Sequence, residues 1–277
     1  MVYKHYSQEE LNDQYNNRLH FPDYADYFER WDSLSRQTER EHDVLKNISF
    51  GTHPKECLDI FPSKRPPGKT MIFIHGGYWH LLDKTLFHFI ATTFLEHDVT
   101  TVFINYPLAP AASLYTIVLS CRKAIRWLHN NIIRFNGNPS QMYVMGHSAG
   151  GHLACMLSVE EDINFLRGVI SLSGLFRLEP LMLSNLNNVL GMDTAMAMQN
   201  SPIFLEPRNF CPFLLAMGTE ETDEFKSQST DMYDSWKNKH TGMKLLEVKD
   251  RNHYSILDAV IEKDSSLRYA IFDLMNI

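Results

Sequence analysis

The sequence predicts an α/β fold: a mostly parallel central sheet with helices on both faces, an N-terminal helical arm and a small cap. Three observations predict it. Short apolar runs of strand length alternate with stretches of helical period through residues 70–277, and β and α units that alternate along a chain pair into parallel sheets covered by their crossover helices. The pentapeptide Gly146-His147-Ser148-Ala149-Gly150 lies where one such run meets a helix-like stretch. A second glycine pair, in His75-Gly76-Gly77, closes another run.

Residues 1–40 are rich in Tyr, Asn, Asp, Glu and Arg and are expected to form two polar helices, one with an aromatic face from Tyr24, Tyr27, Phe28 and Trp31. This arm is expected to pack over the domain. From Asp43 the pattern changes to strands, VLKNISF and ECLDIFP, joined by Gly-Thr-His-Pro as an antiparallel hairpin. TMIFIHGG and TTVFINYP are the next strands, around a helix near residues 85–96. Residues 113–135 read as one long helix, apolar at Leu114, Ile117, Val118, Cys121, Ile125 and Leu128. QMYVMG and RGVISLSG are strands around the helix that follows Ser148. After the strand CPFLLAMG come a helix over about residues 223–240, the strand MKLLEVKD and a closing helix from Ser255 onward. Residues 176–207, rich in Leu, Met and Asn, break the alternation and are too long for a simple loop. They read as a cap on the side of the sheet that carries Ser148.

No linker rich in Pro, Gly or Ser and no block of charge divides the 277 residues, so a single domain over 1–277 is expected. The formal charge of −7 comes without a basic patch or a basic amphipathic segment, which argues against nucleic-acid or anionic-membrane partners. Cys57, Cys121, Cys155 and Cys211 lack C-x-x-C spacing and read as reduced core thiols. The opening residues MVYKHYSQEE are charged and lack the apolar core of a secretory signal, and no run of 18 apolar residues occurs, so a cytoplasmic address is expected. The histidines show no H-x-x-x-H or H-E-x-x-H spacing, and no metal or other cofactor is implied. Oligomeric state is left open, a homodimer included.

Chemistry enters at Ser148. Residues 141–145 (QMYVM) read as a short buried strand and residues 151–157 as the start of an apolar helix, so Ser148 sits on a sharp strand-to-helix turn, the nucleophile elbow of a serine hydrolase with the α/β-hydrolase fold. His75-Gly76-Gly77 follows the strand that in this fold supplies the other half of an oxyanion hole. Backbone N–H groups of Gly76 or Gly77, with that of Ala149, are therefore the expected oxyanion donors.

The fold orders its triad as nucleophile, acid, histidine, which restricts the search to residues after Ser148. Three histidines qualify for the base, and His253 is the one in the loop between MKLLEVKD and the final helix. His152 lies on the nucleophile's own helix and reads as a packed histidine, and His240 ends a helix. The loop after CPFLLAMG, Thr219-Glu220-Glu221-Thr222-Asp223-Glu224, offers four carboxylates. A G-x-x-acid spacing from Gly218 selects Glu221, which would hold the imidazole tautomer of His253. Asp223 is the rival, with a structural explanation of its own as a helix N-cap.

With these residues in place the chain resembles the kynurenine formamidase (arylformamidase) branch of the α/β-hydrolases, close to the hormone-sensitive-lipase-like esterases. The resemblance rests on His75-Gly76-Gly77-Tyr78-Trp79, on Gly146-His147-Ser148-Ala149-Gly150-Gly151-His152, on GTEETDEFKSQ over residues 218–228, and on Asn252-His253-Tyr254. It implies hydrolysis of a small-molecule aryl formamide, N-formyl-L-kynurenine, to L-kynurenine and formate in tryptophan catabolism, through a formyl-serine. Many members of that family carry Asp where Glu221 stands. Tyr78 and Trp79 are the expected substrate-binding pair, walling the small acyl site and stacking on the aryl group, although the same pair also fits core packing beside the oxyanion loop. A general short-acyl carboxylesterase would use the same triad. A non-catalytic ligand-binding α/β-hydrolase commonly lacks the serine or the histidine, and both positions are filled here. A lipase working at membranes is disfavoured by the polar arm.

Overall fold

The computed structural model describes residues 1–277. Polar caps set the helices of the arm. Ser7 and Glu10 form a capping box that starts α1 (Gln8–Gln14). The Asn16 side chain then accepts the Leu19 N–H and opens the single turn α2 (Asn17–His20), and α3 (Tyr24–Glu41) follows. The arm has three helices instead of the two expected because Asn16 offers the backbone a local partner that restarts the helix.

Two antiparallel strands, β1 (Leu45–Ser49) and β2 (Cys57–Phe61), lie at one edge of an eight-stranded sheet. The other strands are β3 (Gly68–Ile74), β4 (Thr100–Ile104), β5 (Gly137–His147), β6 (Leu166–Leu172), β7 (Phe213–Gly218) and β8 (Met243–Val248). Their order is 1-2-4-3-5-6-7-8, antiparallel at β1–β2 and β2–β4 and parallel from β4 to β8. Parallel strands buried on both faces lose the polar alternation of an exposed sheet. Along β3, Ile72 and Ile74 join one core, whereas Met71 and Phe73 join another on the opposite face.

The first core is covered by α5 (Leu114–Asn131), α6 (Ala149–Leu157) and α10 (Asp223–Trp236). The second is covered by α3, a 3-10 segment (Lys84–Ile90), α4 (Ala91–Leu95), α11 (Asp258–Ile261) and α12 (Ser266–Met275). The α/β fold expected from the alternation is the fold observed. Local departures have local causes. The helix expected over 113–135 starts on the Ser113 cap but tightens to a 3-10 turn after Asn131. The closing helix is two pieces, because the polar stretch 262–265 ends α11 and the Ser265 hydroxyl caps α12 afresh.

Residues 176–207 hold three short helices, α7 (Glu179–Leu183), α8 (Asn187–Leu190) and α9 (Thr194–Gln199), and a 3-10 turn at Pro202–Phe204. Hydrogen bonds from Gln8 Nε2 to the Leu183 carbonyl (2.8 Å) and from the Asn185 N–H to Asn12 Oδ1 (2.8 Å) join this segment to α1. No helix is long and apolar enough to cross a membrane.

Candidate active site

Strand β5 ends at His147 and α6 begins at Ala149, which leaves Ser148 to make the whole turn. It does so at φ 56° and ψ −120°, a conformation that a residue with a side chain rarely adopts. Its N–H donates to the Leu172 carbonyl at 2.8 Å, so β6 holds the turn in place. The flanking glycines are required by contact distance: a Cβ on Gly146 would lie 2.0 Å from the Gly150 oxygen, and one on Gly150 would lie 2.0 Å from the Ile74 oxygen. The first helical hydrogen bond of α6 runs from the His152 N–H to the Ser148 carbonyl. The N–H of Ala149, first in the helix, has no helical acceptor and points with the dipole toward the serine end.

The loop after β3 comes against this turn. A Cβ on Gly76 would sit 3.1 Å from Ser148 Cβ, and Gly77 lines the same cavity as Ser148. His75 does not reach the cavity. Its ring stacks on Tyr106 with centroids 4.4 Å apart, its Nδ1–H donates to the Gly76 carbonyl at 2.8 Å, and the Tyr106 hydroxyl donates to the His75 carbonyl at 2.8 Å. Burial pushes the His75 imidazole down to about 4, so it is a neutral brace for the loop.

His253 follows β8, and Glu221 follows β7. Their side chains meet, with Nδ1 of His253 3.0 Å from Oε2 of Glu221, and each residue is only 3% exposed. The other carboxylate oxygen accepts from Ser173 Oγ at 2.6 Å and from the Gly218 N–H at 2.7 Å. A carboxylate at Nδ1 fixes the tautomer that leaves Nε2 as the basic nitrogen. Asp223 stands apart. It is the first residue of α10, its side chain is 79% exposed, and it pairs with Lys226; the N-cap position expected for it belongs to Thr222.

His147, a residue the sequence reading did not single out, donates from Nε2 to the His253 carbonyl at 2.8 Å and so anchors the histidine loop to the elbow. Burial, reinforced by the neighbouring His253 ring, holds the His147 imidazole well below its ordinary value. His152 is fully buried, bonded to the Asn200 carbonyl at 2.7 Å, and edge-on to Trp79 at 5.0 Å.

Ser148 and His253 line one cavity of about 510 Å³, a size suited to a small organic ligand. The arm supplies much of its wall, including Tyr15, Asn17, Arg18 and Phe28, and the cap adds Asn185 and Leu186. Tyr78 lines it and donates its hydroxyl to the Tyr15 carbonyl at 2.8 Å. Trp79 does not line it. Expected beside Tyr78 as a substrate-binding residue, Trp79 is fully buried against His152, because the chain at φ 48° and 59° turns the two aromatic side chains apart. Tyr254 lines the cavity next to His253 and is clasped by the arm, stacked on Tyr27 at 5.8 Å and met edge-on by Phe21 and Phe28.

Residues 58–173, from the second strand to the serine that holds Glu221, match the family model described as BD-FAE. Across 261 residues the chain is 27% identical to a kynurenine formamidase of Salmo salar, over 88% of this chain and 87% of that one. Among solved structures, a thioesterase candidate from Silicibacter sp. superposes with a TM-score of 0.85 at 23% identity, covering 95% of this chain and 98% of the other. Esterase B from Lactobacillus rhamnosis gives a TM-score of 0.69 at 16% identity, covering 93% and 96%. The chain is therefore similar to kynurenine formamidases along most of its length, and its fold is that of the α/β-hydrolases.

Proposed function

We propose that this protein is a serine hydrolase that cleaves N-formyl-L-kynurenine to L-kynurenine and formate. The observation that carries the chemistry is the convergence of Ser148, strained at an elbow, and His253, fixed through Nδ1 by Glu221, on a single cavity. The 27% identity to a kynurenine formamidase over 88% of the chain supports the choice of substrate.

In this reading Ser148 Oγ attacks the formyl carbon while His253 Nε2 takes the hydroxyl proton. The carbonyl oxygen becomes an oxyanion that receives N–H groups from Ala149 and from Gly76 or Gly77. One donor of this kind is worth roughly 3 kcal/mol of barrier. As the tetrahedral intermediate collapses, the C–N bond breaks and the aniline nitrogen collects the proton from His253. Water, deprotonated by the same imidazole, then attacks the formyl-serine; the acyl C–O bond breaks, Ser148 Oγ takes the proton back from His253, and formate is released. Glu221 keeps its charge throughout and stabilises the imidazolium. Ser148, His253 and Gly77 line the cavity, and Glu221 braces His253, which supports these roles.

A short-acyl carboxylesterase is the second reading, supported by the fold's likeness to esterase B and by a triad that serves esters as well. Steady-state rates on N-formyl-L-kynurenine and p-nitrophenyl acetate, measured at matched concentration, separate them. A kcat/KM several hundred-fold higher for the formamide, about 3 kcal/mol or more of differential transition-state binding, is the expected result. Comparable or ester-biased rates would reject the formamidase in favour of the esterase.

A further inference from the structure

The cavity wall has a polar feature that the hydrolytic chemistry does not use. Asn17 and Arg18, consecutive in α2, both line it. The Arg18 guanidinium lies over the Tyr24 ring at 5.0 Å and forms no ion pair, whereas Asp13 on the same wall is engaged by His20 at 3.1 Å. Asn17 is 5% exposed, and its Oδ1 is buried without a hydrogen-bond partner. A guanidinium free of a carboxylate is matched by a planar anion, and a buried acceptor without a donor is matched by an N–H.

The depth of these groups suits an elongated ligand. Ser148 is 3% exposed at the floor, Arg18 is exposed at the rim, and the aromatic rings of Tyr78 and Tyr254 line the space along with them. The arm that carries Arg18 is tied to the reactive loops at three points. The Tyr78 and Thr222 hydroxyls donate to the carbonyls of Tyr15 and Gln14, each at 2.8 Å, and the Glu224 N–H donates to Gln14 Oε1 at 3.1 Å. The backbone just before Arg18 is thereby tied to the loops around the serine.

We infer that Asn17 and Arg18 form a head-group subsite for an α-amino acid, with Arg18 pairing the substrate carboxylate and the Asn17 amide oxygen accepting from its ammonium. The inference rests on the formamidase reading above and deepens it: the substrates are aryl formamides that bear an α-amino acid at the end remote from the formyl group. Neutral aryl formamides lack the anion that Arg18 recognises.

The test compares N-formyl-L-kynurenine with its decarboxylated analogue, N′-formylkynuramine, in the wild-type chain and in Arg18→Gln and Arg18→Lys. Wild type should favour the amino acid by about 30-fold or more in kcat/KM, expressed in KM, as expected for a charge-assisted pair made in both ground and transition states. Arg18→Gln should reduce that preference by at least about tenfold, and Arg18→Lys should keep part of it. A preference that is the same in Arg18→Gln as in wild type, whether or not both rates fall together, would overturn the subsite. Inhibition of p-nitrophenyl acetate hydrolysis by L-kynurenine and by kynuramine provides a readout that needs no formamide turnover. If neither formamide is cleaved, the formamidase reading fails, and equal inhibition by the two amines would then end the subsite as well. Tighter inhibition by kynurenine that is lost in Arg18→Gln would uphold it.

Discussion

Glu221 accepts three hydrogen bonds through two oxygens, from Ser173, from the Gly218 backbone and from His253, and it has almost no contact with solvent. Replacing it by Gln puts an amide N–H against one of those donors and removes the charge that supports an imidazolium. We therefore expect Glu221→Gln to lower kcat by about 10³-fold or more, as a neutral replacement does at the corresponding acid of other triads. Asp223→Asn, out in solvent beside Lys226, should leave kcat within about threefold. Steady-state kinetics of the two variants check the ranking, and the reverse order would transfer the acid role to Asp223. The residues proposed for the constellation could be picked from the sequence because each follows a strand end, where glycine spacing and chain order restrict the choice. Ser173 and His147 were not legible. Ser173 reads as the ordinary end of RGVISLSG, and His147 is the variable position of the elbow motif. Their roles depend on the loops of β7 and β8, which only the folded sheet brings beside them. Trp79 failed for the opposite reason: its neighbours in sequence line the cavity, but a reversal of the backbone sends its ring inward.

The helices of the arm are attached with unequal strength. Helix α3 is anchored through charge. Glu39 meets Nδ1 of His88 at 2.8 Å, Nε2 of His88 lies 3.1 Å from Asp59 without hydrogen-bond alignment, and Lys84 Nζ lies 3.2 Å from the same Asp59 oxygen. Asp59 is fully buried on β2 and Lys84 is 3% exposed. At its other end α3 reaches Asp258 through Arg30 at 2.5 Å and the Trp31 indole at 3.4 Å. Helices α1 and α2 are held by neutral hydrogen bonds, by Lys4 and the Tyr15 hydroxyl on Glu224, and by the buried Leu11 and Tyr15. Lys84→Met would leave Asp59 in the interior without its lysine partner, and breaking a buried pair from one side typically costs about 3–5 kcal/mol. A fall of that order in the unfolding free energy, read from urea denaturation, is expected, with kcat of the folded protein within about threefold of wild type. A change below about 0.5 kcal/mol would mean that Lys84 contributes little to the cluster. The aromatic face of α3 could be read from spacing alone, and it docks on Tyr254. This ionic anchor could not, because Glu39, Asp59 and His88 are far apart in sequence and each alone resembles a surface charge.

At the scale of the whole molecule, burial of histidine gives the fold a pH dependence with a definite sign. His75 and His152 are completely enclosed and driven down to about 4, and His147 is driven well below its ordinary value, in each case chiefly because burial penalises the charged ring. An unfolded chain would protonate all three near pH 6.5. Between that pH and the lower folded values the unfolded state binds more protons, so stability must rise with pH across the window. It is complete above about pH 6.5 and drains away as pH falls toward 4. At pH 5 each of His75 and His152 should have forfeited about 2 kcal/mol relative to pH 7.5. Asp258, whose carboxyl burial raises, works in the opposite sense, but it stands against these three and against His80 and His240, which burial also lowers. The expected result is therefore a urea midpoint that drops steeply from pH 7.5 to pH 5. His152→Gln, which removes one of the lowered groups, should flatten the slope whatever it does to the absolute stability. A midpoint that is level or rises on acidification would mean that the buried imidazoles are already charged in the folded protein. In that case the neutral imidazoles that brace the loop after β3 and the elbow would have to give way to ion pairs.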